Sequence, residues 1–222
     1  MNIEIAGDDA LMIYFAAAAG PAPTAQIQAA RGILLRELPG VIRELVPGFA
    51  SLLVIYDPWR VRPRVLCRRI AGLLASLSDG EVAAGGTLEL PVYYSGPDLA
   101  LVAGHSGLDI DTVIACHSGV DYQVQAIGFA PGFAYLGDLD ERLALPRRSN
   151  PRLRVPKGAV AIANRHTAVY PQASPGGWHL IGLCPIPLFD PGRQPPMPFA
   201  VGDRVRFRAI DRGAYLALGG QP

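Results

Sequence analysis

Five cations stand within eleven residues of this chain: Arg147, Arg148, Arg152, Arg154 and Lys157. Pro146, Pro151 and Pro156 space them and oppose a helix. Guanidinium groups grip carboxylates and phosphates through paired hydrogen bonds. The run therefore reads as an anion site, as a docking surface for an acidic partner, or as a solvated basic loop. Upstream, Gly128 to Gly137 sets Phe129, Phe133 and Tyr135 around Pro131 and Gly132. Downstream come Tyr170, then Gly176 and Gly177 leading into Trp178. Rigid aromatics hemmed by glycine and proline suit a pocket wall, and equally the packed closure of a β-barrel. This is not a phosphate loop, because the glycine-rich stretch lacks the terminal Lys-Ser/Thr. Lys157 is the only lysine. It reflects either a bias toward arginine or a position where an ammonium is needed.

The four histidines lack the spacing of metal ligands, and no metal site is expected. His117, close in sequence to Ser118 and Asp121, is the candidate acid or base; the alternative is a helix-terminal histidine that complements the dipole. Ser118 sits in no Gly-x-Ser-x-Gly elbow, and no nucleophile triad can be assembled from spacing. Cys67, Cys116 and Cys184 are scattered and odd in number, which points to free thiols. A formal net charge of +1 gives no bulk drive toward nucleic acid or an anionic membrane. The apolar run from Ala10 to Ala19 follows acidic residues and is too short to span a bilayer. A cytoplasmic protein is expected.

The elements that must position these residues fall into two groups. Ala10–Phe15 reads as a strand, Pro21–Leu38 as a helix, Val41–Val46 and Ser51–Tyr56 as strands, and Arg64–Leu77 as a second helix. Thr87–Tyr94 reads as the strand that closes the set, after a loop marked by Asp79-Gly80 and Gly85-Gly86. That order is the split βαβ of a ferredoxin-like domain, residues 1–86, with the strand 87–94 shared or linking. Two short helices follow, near Pro97–Gly104 and Asp109–His117. Their spacing imitates a DNA-binding helix-turn-helix, but the second helix carries no lysine or arginine to meet phosphate. From Val120 onward short apolar segments alternate with turns: Gln123–Ile127, Ala159–Ala163, Thr167–Tyr170, His179–Gly182 and Arg204–Ala209. These suggest a closed or nearly closed antiparallel β-structure, residues 87–222. The class is α+β.

Several blocks carry a resemblance: Pro91-Val92-Tyr93-Tyr94, Gly96 to Ala100, His117-Ser118, Gly128-Phe129 with Pro131-Gly132-Phe133, and Tyr135-Leu136-Gly137. They continue through Pro146-Arg147-Arg148, Val155-Pro156, Tyr170-Pro171, Pro175 to Trp178, and Leu188 to Pro191. Together they resemble the family of the 5-oxoprolinase B subunit, also called allophanate hydrolase subunit 1, which includes an inhibitor of a sporulation histidine kinase. The resemblance implies a ferredoxin-like domain followed by a cyclophilin-like β-barrel. It implies two partners, the 5-oxoprolinase C subunit, which has a related barrel, and the 5-oxoprolinase A subunit. It also implies an ATP-driven hydrolysis of 5-oxo-L-proline to L-glutamate in which ATP is bound by the complex. A regulator of a histidine kinase and a member of an allophanate- or urea-directed hydrolase or carboxylase are the alternatives. In the hydrolase reading Arg147, Arg148 and Lys157 hold carboxylate or phosphate. Phe129, Phe133, Tyr170 and Trp178 wall the pocket with Pro131, Gly132, Tyr135, Gly176 and Gly177, and His117 is the acid or base. One stretch departs from the family pattern: Ala161 to Ala168 stands where a glycine-rich stretch with Gln-Thr-Gly is usual, so crowding of a close-approach loop is expected.

Overall fold

The computed structural model describes residues 1–17, 20–77 and 86–221. The expected loop at Asp79-Gly80 and Gly85 lies outside them. Contacts divide the chain into two compact units, Met1–Gly85 and Gly86–Pro222.

The first unit runs β1 (Asn2–Ile5), β2 (Ala10–Tyr14), α1 (Pro21–Glu37), β3 (Ile42–Pro47), β4 (Ser51–Tyr56) and α2 (Pro63–Leu73). Its sheet order is β1-β2-β4-β3, and every pairing is antiparallel. Strand β4 alternates half-buried and buried positions, so Leu52, Val54 and Tyr56 point into one core. Ile27 and Leu34 of α1, with Leu66 and Ile70 of α2, complete that core at helical spacing. Pro63 opens α2, where its missing N–H would have no helical partner in any case. One expectation fails here. Residues 87–92 do not close this sheet; the edge beside β2 is taken by β1. The physical reason lies in a tight hairpin: β1 and β2 pair from Asn2–Tyr14 to Ile5–Leu11, which needs little loop closure.

The second unit begins with β5 (Thr87–Val92), then α3 (Leu99–Ser106), α4 (Ile110–Ser118), β6 (Asp121–Ile127) and β7 (Ala134–Gly137). It continues with β8 (Arg152–Val155), β9 (Ala159–Ala163), β10 (His166–Val169), β11 (Ser174–Gly176), β12 (His179–Leu183), β13 (Arg204–Ala209) and α5 (Arg212–Ala217). Seven strands form one sheet in the order β12-β9-β10-β7-β6-β13-β5. Strand β5 pairs in parallel with β13 from Thr87–Arg204 to Val92–Ala209. Just past β5, the Tyr93 and Leu183 backbones exchange hydrogen bonds of 2.9 Å each, so the two edges of the sheet meet. The result is a nearly closed barrel. Its interior holds Val92, Tyr122, Val124, Ile162, Ile181, Val205 and Phe207. Strands β8 and β11, which flank β9 and β10 in the chain, form a separate two-stranded antiparallel sheet. The whole is a mixed α and β fold with few helices. No single helix among the described residues is long and apolar enough to cross a membrane.

Candidate functional site

The loop joining β6 to β7 is built by its sequence. The Phe133 N–H donates to the Ala130 carbonyl at 2.9 Å, with Pro131 second and Gly132 third in the turn. Gly132 has φ +84°, the backbone a type II turn demands at that position. A side chain there would also meet the Leu188 carbonyl at 2.7 Å. This turn throws Phe129 outward: it is 62% exposed and holds φ +72°, a region few non-glycine residues enter. Such backbone outliers gather at functional sites.

Behind Phe129 the other aromatics pack as a group. The Phe133 ring sits edge-on to Phe129, Tyr135, Tyr170 and Trp178 at centroid distances of 5.1, 4.9, 5.2 and 5.8 Å. Their floor is the methyl groups of Ala161, Ala163 and Ala168. Gly176 leaves the space that the Tyr170 hydroxyl fills. Phe133, Tyr170 and Trp178 are buried, so three of the expected wall residues are core, while Phe129 and half-exposed Tyr135 retain a surface. The stretch 161–168 is no crowded loop either. It is a tight hairpin of β9 and β10 with Asn164 at φ +52° in its turn.

The five cations do not pool. Arg148 donates to Asp98 through Nη1 at 3.2 Å, and Arg152 through Nη2 at 2.8 Å. The other Asp98 oxygen accepts the Leu180 N–H at 2.7 Å. Asp98 precedes α3 and is 4% exposed. Burial alone would raise its carboxyl, but the hydrogen bonds from Arg152 and Leu180 and the two guanidinium charges outweigh burial and hold it below the usual carboxylate range. The Arg148 N–H also donates to the Gly177 carbonyl at 2.8 Å, which is the role the structure gives Gly177. Arg147 is exposed and lines a hollow of about 440 Å³ with Arg148, His105, His179, Ser149 and Asn150. Lys157 lies elsewhere, past β8, and lines a hollow of about 200 Å³ with Tyr170, Tyr215 and Gln221. The physical reason for the dispersal is that the chain from 147 to 157 passes through an extended strand and then turns, with the Ala159 N–H on the Pro156 carbonyl.

His117 is corrected outright as an acid or base. It is fully buried, stacked on Phe207 at 4.6 Å. Its hydrogen bonds fix its tautomer. Thr167 donates its hydroxyl proton to the Ala161 carbonyl at 3.1 Å, so Thr167 Oγ1 accepts from His117 Nε2 at 2.8 Å. The bare Nδ1 then accepts the Tyr94 hydroxyl at 2.7 Å. Burial pushes the imidazole down to about 3, so it is neutral and does not complement the helix dipole either.

Sequence reasoning missed Asp98, His105, His179, Ser149 and Asn150. His179 donates through Nε2 to the Pro146 carbonyl at 2.9 Å. Its Nδ1 and the Arg148 Nε are buried without a partner among the described residues. Two missed signals were present: Asp98 stands in the Gly96-Pro97-Asp98 block, and His179 follows Trp178. Arg147 links the hollow to the aromatics. Burial lowers His166, and Arg147 lowers it further against the opposing Asp138; burial raises Tyr170, and Arg147 opposes that rise.

The second unit thus combines a nearly closed barrel, a basic hollow at its surface and an aromatic cluster with one exposed ring. Residues 1–199 match the family model "Carboxyltransferase domain, subdomain C and D". The 5-oxoprolinase B subunit of Escherichia coli O157:H7 is 53% identical over 178 residues, covering 78% of this chain and 80% of that protein. That of Bacillus subtilis (strain 168) is 37% identical over 230 residues, covering 97% of this chain and 95% of that protein. The solved structure of TTHA0988 matches 91% of this chain at 36% identity and a TM-score of 0.81, and the match spans 40% of that longer chain. The chain belongs to the carboxyltransferase subdomain C and D family, within the group that holds the B subunits of 5-oxoprolinase.

Proposed function

We propose that this chain is the B subunit of an ATP-dependent 5-oxoprolinase that hydrolyses 5-oxo-L-proline to L-glutamate together with the A and C subunits. The observation that carries the reading is the hollow where Arg147 and Arg148 meet His105, His179 and the Ser149-Asn150 pair. A small cyclic amide with one carboxylate fits its chemistry. The exposed Arg147 pairs with the carboxylate, and Arg148, held in place by Asp98, adds charge from one side. The amide and hydroxyl of Asn150 and Ser149 suit the polar ring edge. Phe129 and Tyr135 do not line this hollow and are read as a separate aromatic surface, and Lys157 serves the second hollow. ATP belongs to the assembly in this reading, and no residue of this chain is assigned to it. The barrel is read as cyclophilin-like, and the first unit as ferredoxin-like with β1 replacing the usual last strand. The protein acts in the cytoplasm.

Reconstitution with the A and C subunits tests the reading. Glutamate release coupled to ATP hydrolysis is expected only when all three chains and 5-oxoproline are present. Arg147→Ala should raise KM for 5-oxoproline at least tenfold, the cost of one charged hydrogen-bond pair. Absence of turnover by the complete set, or an unchanged KM in the variant, sinks the substrate or the residue assignment respectively.

A further inference from the structure

Between Pro58 and Leu77 the chain carries five arginines and no acidic residue. Helix α2 buries Leu66 and Ile70 in the core of its unit. The opposite side presents Arg64 and Arg68 one turn apart, and Val65 and Arg69 one turn apart, all exposed. Trp59, just before the helix, is 92% exposed. Arg60 pairs with Asp57. Arg62, Arg64, Arg68 and Arg69 form no ion pair among the described residues.

This arrangement does not serve the helix itself. Like charges one turn apart repel. Arg62 and Arg64 stand at the end of α2 where the backbone dipole disfavours a cation, and its first turn holds no acid. Residues 1–85 hold eight arginines and eight acidic residues, so the cationic side is local segregation and not excess charge. Balanced charge gives no general pull toward nucleic acid or an anionic bilayer, and a single indole is a thin anchor for a membrane. Tryptophan and arginine together are the residues that carry binding energy at protein interfaces.

From this charge segregation and the bare indole, we infer that Trp59, Arg62, Arg64, Arg68 and Arg69 form a docking surface for an acidic segment of a companion polypeptide. The inference rests on the reading of the chain as one member of a larger assembly. It is consistent with TTHA0988, where the matched fold occupies 40% of a longer chain.

The test uses the full chain with the purified A and C subunits of the 5-oxoprolinase, and reads affinity by calorimetry at 50 and 300 mM salt. The wild-type chain should bind one of them and lose roughly tenfold in affinity at the higher salt. The triple variant Arg64→Glu, Arg68→Glu, Arg69→Glu should bind at least tenfold more weakly at 50 mM and lose most of its salt dependence. Trp59→Ala should weaken binding about tenfold without changing the salt slope. If the glutamate variant fails to fold, the same three positions as glutamine, checked by circular dichroism, replace it. Unchanged affinity in the folded variants overturns the inference. So does failure of the wild-type chain to bind either companion. Arginine-dependent binding to phosphatidylserine vesicles or duplex DNA, with affinity for the companions unchanged, overturns it in favour of those partners. Variant-sensitive binding in an assembly that does not turn over 5-oxoproline leaves the docking surface standing and removes only the substrate.

Discussion

At the scale of single residues, His117 makes the sharpest prediction. Its folded value of about 3 lies below the ordinary histidine value, so the unfolded chain takes up a proton first as pH falls. Its contribution is fully present above pH 6.5 and is lost progressively between 6.5 and 3. From pH 7 to pH 5 the loss is about 2 kcal/mol. Urea unfolding of His117→Gln should show that part of the acid slope removed. The variant should also be weaker at pH 8, by roughly 1–3 kcal/mol, because the Tyr94 and Thr167 hydroxyls lose well-aligned partners. An identical slope in both proteins would exclude this imidazole as its source. The sequence offered His117 as a reactive group because its neighbours along the chain are polar. Its partners in space are Tyr94 and Thr167, remote in sequence, and no local pattern announces them.

At the scale of elements, Asp98 is where α3 is tied to the arginine loop and to β12. Replacing it with alanine leaves two guanidinium groups facing each other without their anion. Fully buried pairs lose ~3–5 kcal/mol on such a change; Arg148 and Arg152 keep some solvent, so about 2–4 kcal/mol is expected. Chemical denaturation at pH 7 measures it. Because Arg148 lines the hollow, the proposed function expects Asp98→Ala also to raise KM for 5-oxoproline in the reconstituted assembly. The elements themselves were mostly legible. Strand β4 and strand β13 begin and end where alternation placed them. Helix α2 stops at Leu73, short of the expected Leu77, although its apolar spacing continues into Leu74 and Leu77. Four strands were missed for physical reasons. β1 is a mostly exposed edge of four residues, too short for its Asn-Ile-Glu-Ile alternation to stand out, and β7 lies inside the glycine and aromatic block. β8 is half arginine and hidden in the cation run, and β11 is only three residues long. The cation run was legible as composition. Its division between an internal ion pair and two separate hollows was not, because Asp98 lies about fifty residues away in sequence.

At the scale of the molecule, the position of β5 decides where the chain can be cut. A fragment of residues 86–222 keeps every strand of the barrel and should unfold in one cooperative transition by circular dichroism. A fragment beginning at residue 95 loses β5 and the Tyr93–Leu183 closure, leaving β13 as a bare edge. It should melt without cooperativity or aggregate. Equal behaviour of the two fragments would show that the parallel pairing contributes nothing.

That same pairing has a consequence for synthesis. Strand β5 is made first in its unit, and its partner β13 nearly last. As the chain leaves the ribosome, residues 87–92 must wait without a ladder partner until 204–209 emerge. Contacts so distant in sequence form slowly, and unpaired edges invite wrong partners meanwhile. Closure of the barrel therefore waits for β13, and that interval is when a chaperone would find it.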